Sequence, residues 1–311
     1  MKKTNPVDLM TAFFDRLSSL ATKDKNVYFI TADHGAWALS NFKAKNPNQF
    51  LNIGISEQNM VSVAAGMSLA GHKVFIFTIT PFLIHRALEQ LKMDLSYPCL
   101  PVTIIGNGSS LTYANHGSSH QSVDDISIIN NLPNFEILHP SNNNLAEAAV
   151  DYAYNSKKPI YIKLDKGFFP NKKIKNHNKG FFPIYKTTDN SKKNICIITT
   201  GVIVHDIVRY LEKAKIANLF VYEIYQIKPL NKKNILEIIS KFKKIITIEE
   251  QHINGGIGNI ISMIIAENKL NISFKRIGIN DFFSKKNGDR NWLRKQYKID
   301  NINFIKNIKK K

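Results

Sequence analysis

Residues 50–80 read FLNIGISEQNMVSVAAGMSLAGHKVFIFTIT. FLNIGIS (50–56) is a short apolar run that ends in a turn. EQNMVSVAAGMSLAG (57–71) reads as a helix closed by Gly71, and HKVFIFTIT (72–80) as a second strand. The order strand, turn, helix, strand is the unit of a parallel sheet. Glu57 falls at the strand-to-helix junction, with small residues (Ala64, Ala65, Gly66) on the helix that follows. A glutamate in a first turn is favoured by the helix dipole alone. A carboxylate beyond the C-terminal edge of a strand also stands where open α/β sheets bind ligands.

Outward from this segment the alternation continues. Strands are expected at 27–33, 101–108, 135–140 and 159–165, with helices at 83–95, 122–130 and 143–155. Residues 169–193 break the pattern with FFP repeats and NKKIKNHNKG, and read as a linker. Strands at 194–201, 219–230 and 243–250 follow, with helices starting at Val202, Lys232 and Ile257. The expectation is α/β: two doubly wound, mostly parallel-sheet domains, 1–168 and a smaller 194–311. The length, 311 residues, suits two domains.

Composition excludes some classes. Hydrophobic residues make up 43% and charged residues 22%, an ordinary globular balance. No apolar run approaches the roughly 18 residues of a membrane span. Asp8 and Asp15 interrupt the N-terminal segment where a signal peptide would be apolar, so a soluble, cytoplasmic protein is expected. The 43 basic and 24 acidic residues give +19, which raises the question of polyanion binding. Only six of the basic residues are arginines, the usual tool for bidentate phosphate and guanine contacts. Lysines scattered among asparagines on solvated faces account for the charge better than a nucleic-acid-binding stripe. Cys99 and Cys196 lie in apolar, strand-like surroundings without CxxC partners. They read as reduced thiols rather than zinc ligands, although a single disulfide between the domains would also fit.

GISEQNMVSVAAGMSLAG followed by HKVFIFTI, then GSSHQSVDDISIINNLPNFEILHPSN and KPIYIKLDKG, resembles the pyrimidine-binding domain of the transketolase family. IITTGVIVHD, YQIKPL, TIEEQHINGGIGN and RIGINDFF are similar to that family's C-terminal domain. The resemblance covers nearly the whole chain and implies thiamine-diphosphate chemistry. It assigns Glu57 to a ring nitrogen of the cofactor's aminopyrimidine. A carboxylate there stabilises the imino form, whose exocyclic nitrogen can remove the thiazolium C2 proton. In TITPFLIHRALEQ, counting back from Arg86 puts the stacking position on Leu83, with Phe82 beside it as the aromatic candidate. His120 matches a substrate-facing histidine. His116 stands where many members carry an acid, and Lys166 where an arginine grips the substrate phosphate. Lysine keeps the cation but loses the two-pronged geometry, and Lys163 and Lys166 could equally be solvated strand-end charges. The His116/His120 spacing does not imply a metal pair, because Gly117 and two serines between them make a loop. The Gly-Gly-Ile-Gly turn at 255–258 lacks the full dinucleotide fingerprint. The C-terminal domain is expected to serve assembly more than catalysis.

The family's diphosphate-binding domain carries a Gly-Asp-Gly motif that bridges the cofactor through Mg²⁺. The nearest approach here is Gly288-Asp289-Arg290. The resemblance therefore implies the C-terminal half of a split transketolase. A separate N-terminal subunit would supply diphosphate and metal contacts, with two copies of each chain and sugars or sugar phosphates as substrates. The β-subunit of a 2-oxoacid dehydrogenase is the alternative enzyme. A non-catalytic polyanion-binding or scaffold module of the same fold is the alternative outside enzymes.

Overall fold

The computed structural model describes residues 7–35, 37–171, 180–187, 194–214 and 216–300. Two compact units emerge. The first takes the chain as far as Ser109 and resumes at Ile128; the second takes Ser110–Ser127 and the stretch from the strand at Phe181 onward.

In the first unit lie β1 (Val27–Thr31), β2 (Phe50–Asn52), β3 (Lys73–Ile79), β4 (Thr103–Asn107), β5 (Glu136–Leu138) and β6 (Ile160–Leu164). They run in the order β5-β6-β4-β3-β1-β2, and every pairing is parallel. All but the edge strand β2 are largely buried along their length, as strands inside a parallel sheet are. Phe14 meets Phe29 and Phe77 edge to face at the centre, with centroids 5.6 and 5.0 Å apart. The helix Leu9–Lys23 starts where Asp8 accepts from the amides of Met10 (2.9 Å) and Thr11 (3.3 Å). The other Asp8 oxygen accepts from the Gly167 amide at 2.5 Å, so one cap also ties down the end of β6. The chain leaves β1 toward β2 and crosses back to place β3 on the other side of β1. The connection direction therefore reverses between β1 and β3, the point at which open α/β sheets form a crevice.

The second unit holds β7 (Phe181–Lys186), β8 (Ile195–Thr199), β9 (Leu219–Ile224), β10 (Gln226–Lys228), β11 (Lys244–His252) and β12 (Ser273–Ile279). Five of them form a sheet in the order β12-β11-β8-β9-β7, parallel except for β7 against β9. Ile197, Ile207, Leu211, Val221 and Ile248 belong to its core. The α/β class with two mostly parallel sheets is as expected.

The boundaries differ from expectation in two places. Part of the expected 169–193 linker is the strand β7; FFPIYK tolerates Pro183 because β7 is an edge strand, where a missing N–H leaves no central ladder bond unmade. Much of the rest of that linker (172–179 and 188–193) lies outside the described residues. The segment Ser110–Ser127, expected within the first domain, clusters with the second unit. Gln251 Nε2 donates to the Ser122 carbonyl (3.0 Å) and to Asp125 Oδ1 (3.1 Å), and the His252 amide donates to the Val123 carbonyl (2.7 Å). No helix among the described residues is long and apolar enough to cross a membrane. Both cysteines are free, and burial pushes the Cys196 thiol well above its ordinary pKa.

Candidate active site

Several of the candidate residues gather at the C-terminal edge of the first sheet. After β2, Gly54 takes φ +76°, a conformation suited to glycine, and the chain turns into the helix Glu57–Leu69. Met60, Val61, Ala64 and Ala65 bury that helix at helical spacing. The first residue of the helix, Glu57, is buried with them at 2% exposure. A carboxylate in that position needs a partner. Arg86 Nη1 donates to Glu57 Oε2 at 2.6 Å. No described residue donates to Oε1, the second oxygen of this carboxylate.

Arg86 arrives from the segment after β3. Residues 82–96 are helical, as expected, but Phe82–Arg86 and Leu91–Ser96 form wide, π-helical turns on either side of Leu88–Gln90. Such turns recur at functional sites. The wide turn lays the Arg86 guanidinium over the Phe82 ring, 4.6 Å from its centroid. Phe82 is partly exposed, whereas Leu83 is fully buried in the core. Glu57, Arg86 and Phe82 are thus joined in one chain of contacts.

Lys166, just past β6, is exposed, while Lys163 within β6 is fully buried and so is not a solvated strand-end charge. His34, which sequence reasoning missed, sits three residues past β1. Its Nε2 lies 2.6 Å from Asn107 Nδ2 at the end of β4, and its ring packs on Phe77 with centroids 5.2 Å apart. Burial first, and the charge of Lys166 second, push its pKa down. Asn52 fastens this loop to the Glu57 turn: its Oδ1 accepts from the amides of Asp33 (3.0 Å) and Gly54 (3.1 Å), and its Nδ2 donates to Asp33 Oδ1 (2.9 Å). The available signal was a polar ADHG turn directly after an apolar strand, the same position that singled out Glu57.

His116 and His120 belong to the Ser110–Ser127 segment of the second unit. Two short 3-10 turns, Ala114–His116 and Ser118–His120, bring their rings to 5.2 Å between centroids. His120 Nδ1 lies 3.0 Å from Ser119 Oγ, and His116 is exposed. Burial, and then the neighbouring His116, lower the His120 pKa and favour a neutral ring able to accept a proton.

Elsewhere in the second unit, the Gly-Gly-Ile-Gly turn is filled from within. Glu249 accepts from the amides of Ile257 (2.7 Å) and Gly258 (2.8 Å) at the start of the helix Ile257–Glu267. A Cβ at Gly256 would stand 2.1 Å from the same carboxylate. The helix terminus that would cradle a dinucleotide phosphate is therefore already filled by a protein carboxyl group. Asp289, the acid of Gly288-Asp289-Arg290, caps the helix Arg290–Gln296 by accepting from the Trp292 amide at 2.7 Å.

A family model described as the transketolase pyrimidine binding domain matches residues 5–171, and one described as the transketolase C-terminal domain matches residues 185–301. One of the subunits of the apulose-4-phosphate transketolase of Actinobacillus succinogenes is 32% identical over 96% of each chain. A putative transketolase C-terminal section of Methanocaldococcus jannaschii is 30% identical, over 94% of this chain and 93% of the relative. Among solved structures, a split-gene transketolase described as an inactive beta4 tetramer superposes with a TM-score of 0.82. It covers 97% of each chain at 24% identity, a likeness of fold.

Proposed function

Because the chain belongs to the transketolase family, we propose that it is the C-terminal subunit of a two-chain transketolase, moving a two-carbon ketol unit between sugars or sugar phosphates. The observation that carries the reading is Glu57, a carboxylate buried at a strand-to-helix junction with one oxygen bound by Arg86 and the other without a donor among the described residues. That unmet oxygen fits a ring N–H of thiamine diphosphate's aminopyrimidine. When bound, the cofactor supplies an electron sink that carries the ketol unit.

The protein residues then have separate tasks. Glu57 accepts from the ring and so fixes the tautomer whose exocyclic nitrogen handles the proton. Arg86 orients the Glu57 carboxylate. Phe82, partly exposed and already offering a face to a cation, is the stacking surface, whereas Leu83 is core. Lys166 meets an anionic substrate group, and His120, with His116 beside it, moves a proton on the sugar. The diphosphate and its Mg²⁺ fall to a partner subunit, two copies of each chain making the enzyme. Relatives of the same length carry names that denote a subunit or a C-terminal section. Trp37 and Ile55, 91% and 75% exposed on the loops after β1 and β2, offer that partner an apolar surface at the Glu57 edge. The free thiols fit a cytoplasmic setting.

The test combines the chain with a Gly-Asp-Gly-bearing partner subunit and assays ketol transfer from a panel of phosphorylated and unphosphorylated ketoses. Transfer that needs both chains and thiamine diphosphate supports the reading. Oxidative decarboxylation of a 2-oxoacid instead would move the chain to the dehydrogenase class.

A further inference from the structure

The crevice between β1 and β3 is where the sheet reverses direction, and His34 spans it. The residue follows β1, its ring lies on Phe77 of β3, and its Nε2 is engaged by Asn107 at the end of β4. The turn is pinned on both sides. The His34 amide donates to Thr31 Oγ1 (3.3 Å), Thr31 Oγ1 donates to the His34 carbonyl (3.1 Å), and Asn52 holds Asp33 beside the Glu57 turn. A side chain held this firmly is set for recognition rather than for filling space. The tautomer in which Nε2 accepts from Asn107 Nδ2 carries its ring proton on Nδ1. No described residue accepts from Nδ1. The pKa lowered by burial and by Lys166 agrees with a neutral ring.

We propose that His34 is a specificity-determining residue, its Nδ1–H donating to an oxygen of the sugar substrate whose anionic group meets Lys166. The inference rests on the ketol-transfer reading and adds to it a substrate-binding group from a part of the chain that the resemblance did not assign. A hydrogen-bond donor beside a cation is the pairing that a phosphorylated polyhydroxy chain requires, and a hydroxyl lost from the substrate would leave this donor unmet.

His34→Phe keeps a ring on Phe77 without a donor. His34→Asn places an amide N–H near the position of Nδ1. In the two-chain enzyme, assayed with xylulose 5-phosphate and apulose 4-phosphate, His34→Phe should raise the KM for the ketose phosphate about tenfold, the loss of one hydrogen bond. His34→Asn should recover most of that loss, and the concentration of thiamine diphosphate giving half-maximal rate should stay within twofold. An unchanged KM in His34→Phe, or a loss confined to cofactor affinity, overturns the inference and leaves the transketolase reading standing. A wild-type pair that transfers no ketol unit from either sugar overturns both.

Discussion

At the scale of single residues, the proposed site rests on one carboxylate kept from water, Glu57. Glu57→Gln retains the shape and removes the charge that, in the proposed reading, would favour the imino tautomer. Turnover is expected to fall by at least about 10²–10⁴-fold, the range of general acid–base contributions, with the thermal melt little changed; kcat and circular dichroism on the same preparations check this. Phe82 and Leu83 are neighbours with opposite fates, and two substitutions separate them. Leu83→Ala empties a fully buried position and should cost about 2–5 kcal/mol in urea unfolding. Phe82→Ala, at a partly exposed position under Arg86, should unfold near the wild-type midpoint and instead raise the thiamine diphosphate needed for half-maximal rate. The sequence count left these two residues open, because the wide turn at Phe82–Arg86 shifts side-chain directions away from those of a regular helix.

At the scale of elements, helix ends place the ionisable groups, and two of them have measurable consequences. Asp8 caps the helix Leu9–Lys23 and also binds the Gly167 amide beside Lys166. Asp8→Ala should lower unfolding free energy by about 1–2 kcal/mol, read from the urea midpoint. Glu249 shows the opposite balance. Burial pushes its pKa up from 4.5 to about 7 despite the two amides of the helix Ile257–Glu267 and the charge of Arg276. The unfolded chain therefore releases this proton near 4.5 and the folded chain near 7, so the folded state binds more protons between those values. The stability it contributes is present below about pH 4.5 and is lost as pH rises to 7. Glu249→Gln should flatten that part of the stability profile, as thermal melts at pH 5.0 and 7.5 would reveal. Glu250, one residue on, titrates the other way. Burial would raise its pKa, but Arg290 and Arg294 outweigh burial and hold it well below the carboxylate range.

For the whole molecule, the expected consequence of a divided site is mutual dependence. Thiamine diphosphate with Mg²⁺ should raise the melting temperature of the two-chain mixture and leave that of this chain alone within about a degree, because a ligand stabilises only the state that binds it. Differential scanning fluorimetry of the separate and mixed chains measures this. A comparable rise with this chain alone would show that it holds the cofactor without help. The lysine-dominated make-up of the +19 charge suits solvated surface.

The amino-acid sequence by itself determined the alternation of strand and helix, the parallel sheets and the place of Glu57, since hydrophobic periodicity and turn residues act over a few neighbours. Pro183 in an apolar run obscured the edge strand β7, because Pro reads locally as a break and only the finished sheet shows that the strand lies at an edge. The pairing of His34 with Asn107, 73 residues apart, and the gathering of Ser110–Ser127 into the second unit were decided by tertiary structure alone. Both depend on which strands become neighbours and on hydrogen bonds such as those of Gln251, and contacts across such separations leave no periodic trace in the chain.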